Sequence, residues 1–160
     1  MRTIVNIKHA ALAAAIGLAF AAPAFAAADA HGHGPADSAA LQLDQGKKWQ
    51  TDAPLRKGMS NMRAAVAADL KAIHANQATP QQYEALAGKL NGEVAYVVQN
   101  CKLDPKADAE LHKVIAEVMG GAEAMEGKDA HADRRAGAVR VVKALNAYGK
   151  FFAHPGWRNL

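Results

Sequence analysis

Apolar residues recur every three or four positions in four successive segments, and this spacing constrains the fold more than any other feature. It matches the 3.6-residue turn of an α-helix and gives each segment one apolar face. The first face comprises Leu55, Met59, Met62, Val66, Leu70 and Ile73, and the second Tyr83, Leu86, Leu90, Val94, Val97 and Cys101. The third comprises Leu111, Ile115, Val118, Ala122 and Met125, and the fourth Arg135, Ala138, Val142, Leu145, Gly149 and Phe152. We therefore predict four amphipathic helices.

Residues that begin helices stand between these segments. The predicted N-terminal caps are Asp52, Thr79, Asp104 and Asp129. Thr79 opens a capping box with Gln82, and Pro155 ends the fourth helix. Because the loops are short, consecutive helices are expected to be antiparallel neighbours. We predict an all-α fold: an antiparallel up-down-up-down four-helix bundle spanning residues 51–160.

The composition agrees with this fold class. Hydrophobic residues make up 51% of the 160-residue chain, much of it alanine, while aromatic residues make up only 6%. Alanine is the best helix former, whereas strands favour β-branched and aromatic residues. No segment shows the alternating pattern of a strand, so we expect helices alone.

The first 26 residues have the features of a secretory signal peptide. Arg2 and Lys8 precede an apolar run at residues 10–22, which is too short to span a membrane, and Ala24-Phe25-Ala26 fits a cleavage site. We expect cleavage near Ala26, export to the periplasm and no membrane association afterwards. Residues 27–50 are small and polar, and we interpret them as a flexible arm.

The charge balance of the exported part argues against a nucleic-acid partner. The whole chain has 19 Lys and Arg against 15 Asp and Glu, giving a net charge of +4. Without Arg2 and Lys8 the net charge falls to about +2, and no basic stripe remains. A homodimer or an unidentified periplasmic protein stays open as a partner.

Soft metal ligands are predicted at one end of the bundle. Met59 and Met62 lie near the start of the first helix, Cys101 in the last turn of the second, and His112 near the start of the third. Antiparallel helices bring these positions to the same end, although Cys101 and His112 are offset by roughly 8 Å along the axis. Thioether, thiol and imidazole ligands suit copper, especially Cu(I). Asp108, one turn before His112, is placed to orient its imidazole.

Histidines of the arm form a second, weaker candidate metal site. His31 and His33 belong to a His-Gly-His tract that could bind Cu(II), Ni(II) or Zn(II) loosely. Catalytic patterns are missing: the sequence has no HExxH motif, no Gly-rich phosphate loop and no paired carboxylates on a shared apolar face. We therefore expect a protein that is not an enzyme.

The chain resembles the cytochrome b562 group, within the wider cytochrome c′-like bundles. The resemblance covers about Leu55–Phe152 and rests on the exported Ala-rich bundle, the early methionines and Asn146-Ala147-Tyr148 in the last helix. It implies a b-type haem at this end, with Met59 or Met62 as one axial ligand and Tyr148 nearby. Gly149, however, stands where the family carries its axial histidine. The segment from Asn100 to His112 bears a weaker resemblance to small exported proteins described as DnrO-like.

Three functions follow from these patterns. The first is a periplasmic metal-binding protein, most simply for copper, acting as a buffer, carrier or sensor. The second is a haem b electron-transfer protein of the cytochrome b562 type. The third is a bundle without a cofactor that binds a protein partner or has a structural role.

Overall fold

The computed structural model describes residues 40–160, and in this range the chain forms four α-helices and no strand. The helices are α1 (Ala53–His74), α2 (Pro80–Asn100), α3 (Pro105–Glu126) and α4 (Arg134–Phe151). The all-α prediction is confirmed for these residues, and the arrangement is consistent with a four-helix bundle. None of these helices is long and apolar enough to cross a membrane. The predicted signal peptide, residues 1–26, and residues 27–39 of the predicted arm lie outside the described residues.

Three of the four predicted helix caps are present. The side chain of Asp52 accepts a hydrogen bond from the Leu55 amide, Thr79 forms the capping box with Gln82, and the Asp104 side chain accepts from Lys106. The prediction for the fourth helix is wrong by four residues: α4 is capped by Asp133, whose side chain accepts from the Ala136 amide. Asp129 instead accepts a hydrogen bond from the His131 amide in the turn before α4.

Each helix packs against at least two of the other three helices. Helix α1 contacts α2 and α4, and α3 contacts α2 and α4. Gly58, near the start of α1, lies against Val97, near the end of α2, while Gly121, late in α3, lies against Gly137, early in α4. The core between the helices is mainly apolar: in the described range no charged residue is buried, and no polar residue other than tyrosine.

The buried face of α4 differs from the predicted one. Ala138 and Leu145 are buried as expected, but the residues between and after them are Val141, Ala144 and Tyr148. Tyr148 is completely buried, whereas the predicted Gly149 lies at the edge of the core. The sequence pattern is ambiguous here because Val141 and Val142, like Tyr148 and Gly149, are adjacent residues that fit the same spacing.

The segments before α1 and after α4 are joined by backbone hydrogen bonds. The Trp49 amide donates to the Phe151 carbonyl oxygen, and the Ala153 amide donates to the Trp49 carbonyl oxygen, at 2.9 and 2.8 Å. Leu41 and Trp49 pack against the core. The described part of the predicted flexible arm, residues 40–50, is therefore docked on the helices, because its apolar side chains and backbone groups find partners there.

Candidate functional site

Cys101 and His112 line one surface groove between α2 and α3. The groove has a volume of about 200 Å³, and its remaining lining consists of Asp108 and the apolar residues Val97, Val98, Leu111 and Ile115. Cys101 is the C-terminal cap of α2, one residue beyond the predicted last turn, and His112 lies two turns into α3. The short connection between α2 and α3 returns the chain close to Cys101, which is why two residues from different helices share the groove.

His112 is held by Asp108 in the way that the sequence predicts. Its Nδ1 lies 2.9 Å from the Asp108 carbonyl oxygen and 3.3 Å from a carboxylate oxygen of the same residue. Because both oxygens only accept hydrogen bonds, Nδ1 carries the proton and Nε2 carries the lone pair. The imidazole is 71% exposed, so Nε2 is accessible as a metal ligand or a proton acceptor.

Cys101 is a half-buried free thiol with acidic neighbours. Burial, reinforced by the charge of Asp52 and a hydrogen bond to its carboxylate, raises the pKa of the thiol to about 12. Asp52 is itself fixed by two backbone donors, the amides of Leu55 and Lys102 at 2.8 and 2.7 Å. The sequence does not indicate this role of Asp52, because its position before Pro54 is typical of a helix cap.

Met59 and Met62 are core residues. Both side chains are completely buried, and neither lines the groove of Cys101 and His112. The four residues predicted to form one metal site are therefore divided: Cys101 and His112 share the groove, and the two methionines fill the bundle interior. Long, flexible thioether side chains are well suited to that packing role.

A second group of polar side chains lies where α1, α4 and the C-terminal segment, residues 152–160, meet. The Tyr148 hydroxyl is 3.0 Å from His154 Nδ1, and His154 Nε2 is 3.3 Å from Ser60 Oγ. Burial lowers the pKa of His154, and the charge of Arg56 acts in the same direction. Burial raises the pKa of Tyr148, so both groups are neutral near pH 7. No periodic pattern extends beyond α4, so the sequence gives no indication of this role of His154.

Trp157 covers Gly149, the residue that the resemblance to the cytochrome b562 group would place at the axial histidine. A Cβ atom added to Gly149 would overlap the indole of Trp157 and approach the Asn159 side chain at 2.9 Å. The Lys48 ammonium donates to the Gly149 carbonyl oxygen at 2.7 Å, on the same turn of α4. The space beside Gly149 is thus filled by the chain itself, and the residues here do not fit a haem bound as in that group.

His31 and His33 lie outside the described residues. Within residues 40–160, no group of three or more His, Cys, Asp and Glu side chains is arranged to hold a metal ion. The candidate site in the groove therefore offers two strong ligands, a thiol and an imidazole, and an orienting carboxylate.

Comparisons of this chain with protein-family models, with curated proteins and with solved structures find no match.

Proposed function

We propose that this protein binds a soft metal ion, with Cu(I) preferred, through Cys101 and His112 in the groove between α2 and α3. One observation carries the proposal: the two side chains line the same groove, and Asp108 holds His112 in the tautomer that leaves Nε2 free. A carboxylate or carbonyl behind a histidine is the usual way in which proteins orient a metal-binding imidazole.

The donor set favours Cu(I) over harder ions. Thiolate and imidazole are ligands for soft and borderline metals, whereas Mg²⁺ and Ca²⁺ take oxygen ligands. Structural Zn²⁺ requires four protein ligands, but Cu(I) is stable with two. Two strong ligands in a partly apolar groove therefore suit Cu(I) best, and a half-exposed site of this kind suits a copper buffer or carrier.

Binding is coupled to loss of the thiol proton. The reaction converts Cys101 S–H and Cu(I) into a Cu–S bond and a released proton, because the thiolate is the ligand. Since the pKa of Cys101 is raised to about 12, the free protein holds this proton throughout the neutral range. The apparent affinity should consequently rise by about tenfold per pH unit between pH 6 and pH 9.

The test is a competition titration of the whole protein with Cu(I) against a chromophoric Cu(I) chelator under reducing, oxygen-free conditions. We expect one Cu(I) per chain, with binding weakened at least tenfold in Cys101→Ser and in His112→Gln. His74→Gln, which changes another exposed histidine near a helix end, is the matched control and should bind as the unmodified protein does. Unchanged binding in both site variants would overturn the proposal.

We also propose that the helices run up-down-up-down and that the protein is exported to the periplasm. The topology is supported by the contacts of Gly58 with Val97 and of Gly121 with Gly137. Export to the periplasm with cleavage near Ala26 is supported by the sequence of residues 1–26. Mass spectrometry of the protein recovered from a bacterial periplasm tests this: a chain that retains Met1 would contradict export by cleavage.

A bundle without a cofactor that docks a protein partner is the second candidate. It is favoured by Val98, which lines the same groove with 68% of its surface exposed, and by Met119, which is 51% exposed farther along α3. Exposed apolar side chains beside a groove are typical of partner-binding surfaces. Under this function Cu(I) leaves the melting temperature unchanged, and Val98→Asp weakens association with the partner or with a second copy.

Haem b is the remaining alternative from the family resemblance. The space beside Gly149 is filled by Trp157, and both nitrogens of His154 already have neighbours at hydrogen-bonding distance. We therefore expect no Soret shift when haemin is added to the protein. A low-spin haem spectrum that disappears in Met59→Ala or Met62→Ala would instead support the cytochrome reading.

A further inference from the structure

Tyr148, His154 and Trp157 form a contiguous group of oxidisable and proton-accepting side chains outside the metal groove. The ring centroids of Tyr148 and Trp157 are 4.8 Å apart, and those of His154 and Trp157 are 5.0 Å apart. Tyr148 is completely buried, whereas Trp157 is partly exposed. A dissolved oxidant can thus reach Trp157 directly but can reach Tyr148 only through its neighbours.

We propose that this group is a one-electron oxidation site, in which Trp157 accepts the attack of a radical or high-potential metal oxidant and Tyr148 becomes the final radical. The oxidant removes one electron from Trp157 and is itself reduced. Tyr148 then returns an electron to Trp157 as its O–H bond breaks, and the phenolic proton passes to His154 Nδ1. The products are a neutral Tyr148 phenoxyl radical, restored Trp157, and one proton that leaves for solvent.

The hydrogen bonds give that proton a path. His154 is the hydrogen-bond partner that the described residues provide for the buried Tyr148 hydroxyl, so the phenol donates and Nδ1 accepts. Nε2 then carries the imidazole proton and donates to Ser60 Oγ, which is exposed. When Nδ1 receives the phenolic proton, Nε2 can release its own proton through Ser60, and no charge remains on the half-buried ring.

The surroundings of the Trp157 indole favour transfer of the radical from Trp157 to Tyr148. A tryptophan radical cation normally becomes trapped by losing its Nε1 proton to water or to an acceptor. In Trp157, Nε1 is buried and has no hydrogen-bond partner among the described residues. The Nε1 proton of Trp157 has no acceptor among the described residues, whereas the hydroxyl proton of Tyr148 has one. The radical is therefore more stable on Tyr148.

Pulse radiolysis with the azide radical tests the transfer in the full-length protein. Transient absorption should show a tryptophan radical that decays as a tyrosyl radical rises. We expect this rise in the unmodified protein, in Tyr83→Phe and in Tyr96→Phe, and its loss in Tyr148→Phe. The Phe variant keeps the stacking of this ring on Phe152, whose centroid lies 5.1 Å away, so its fold should be retained.

A second pair of variants separates proton transfer from simple proximity. His154→Gln preserves a polar neighbour but cannot relay a proton. The phenolic proton must then reach another acceptor, so the tyrosyl radical should form more slowly and with a changed solvent isotope effect in D₂O. His74→Gln should leave both properties unchanged. The proposal is overturned if Tyr148→Phe keeps the tyrosyl signal, or if His154→Gln leaves both the rate and the solvent isotope effect unaltered. Neither result depends on whether copper binds.

Discussion

At the scale of single residues, the reactivity of Cys101 depends on Asp52. Burial together with the Asp52 carboxylate raises the pKa of the thiol to about 12, so little thiolate is present at pH 8. We predict that iodoacetamide modifies Cys101 roughly 10 to 100 times more slowly than a free thiol, after allowing for the greater nucleophilicity of a more basic sulfur. Asp52→Asn should accelerate the reaction several-fold, because it removes the negative charge and keeps a side chain able to cap α1.

Asp104→Asn is the matched control for that measurement. Asp104 also caps a helix, but it is not among the groups that act on Cys101. Its substitution should leave the alkylation rate within a factor of about two of the original, since surface charges act weakly on a thiol that they do not contact. Equal rates in all three proteins would show that burial alone protects the thiol.

The residues of the candidate site were predictable to the extent that they depend on helical spacing. The contact between Asp108 and His112 follows from their separation by one helical turn and is confirmed. The contact between Cys101 and Asp52 joins residues 49 positions apart and has no local pattern. The interior location of Met59 and Met62 could not be separated from a ligand role by sequence, because an apolar face accommodates either.

At the scale of helices, α3 and α4 approach each other closely at two glycines, Gly121 and Gly137. A Cβ atom at Gly121 would lie 2.6 Å from the Gly137 carbonyl oxygen and 2.6 Å from Val141 Cγ2. Backbone cannot move aside as a flexible side chain can, so the helices would have to separate. We predict that Gly121→Ala lowers the free energy of unfolding by about 1–3 kcal/mol, measured by urea denaturation.

The neighbouring Gly120 provides the control within the same helix. The three atoms nearest to a Cβ atom there all belong to the guanidinium of Arg140, at the end of a flexible and exposed side chain. Because alanine is a better helix former than glycine by about 1 kcal/mol, Gly120→Ala should be neutral or stabilising. A loss of stability equal to that of Gly121→Ala would mean that the close approach of α3 and α4 is not the cause.

The helices themselves were largely predictable, while the segments that flank them were not. Three helix starts follow from an acidic or hydroxyl cap followed by proline. The fourth start was misplaced because Asp129 and Asp133 are both suitable caps, and only Asp133 is used. Residues 40–50 and 152–160 pack through backbone bonds and isolated aromatic rings, which leave no periodic signal in the sequence.

At the scale of the whole molecule, the C-terminal segment ties α1 to α4. The Arg63 guanidinium donates to the carbonyl oxygens of Arg158 and Asn159, and the Leu160 amide donates to the Asn146 side chain at 2.8 Å. His154 lies within this connection, between Ser60 of α1 and Tyr148 of α4. A change in the charge of His154 should therefore alter the stability of the whole folded unit.

The sign of this pH dependence follows from the lowered pKa of His154. Burial makes the folded protein bind a proton more weakly than the unfolded chain, whose histidine titrates near the ordinary value of 6.5. The stabilisation is present above pH 6.5 and is lost as the pH falls through 6.5 towards the lower pKa of the folded state. We predict that the free energy of unfolding, measured with urea, decreases between pH 7.5 and pH 5.5, and that His154→Gln flattens this decrease.

The pH range in which His154 acts lies above the range in which two carboxyl groups, Glu117 and Glu110, contribute to acid denaturation. Hydrogen bonds hold the pKa of Glu117 below its ordinary value of 4.5, and the same direction applies to Glu110. Their contributions are lost only as the pH falls through 4.5 and below, so the two ranges do not overlap. His74→Gln, at an exposed position, should retain the decrease between pH 7.5 and pH 5.5. If His154→Gln retains it as well, the protonation of His154 is not coupled to folding, and the connection between α1 and α4 does not depend on a neutral imidazole.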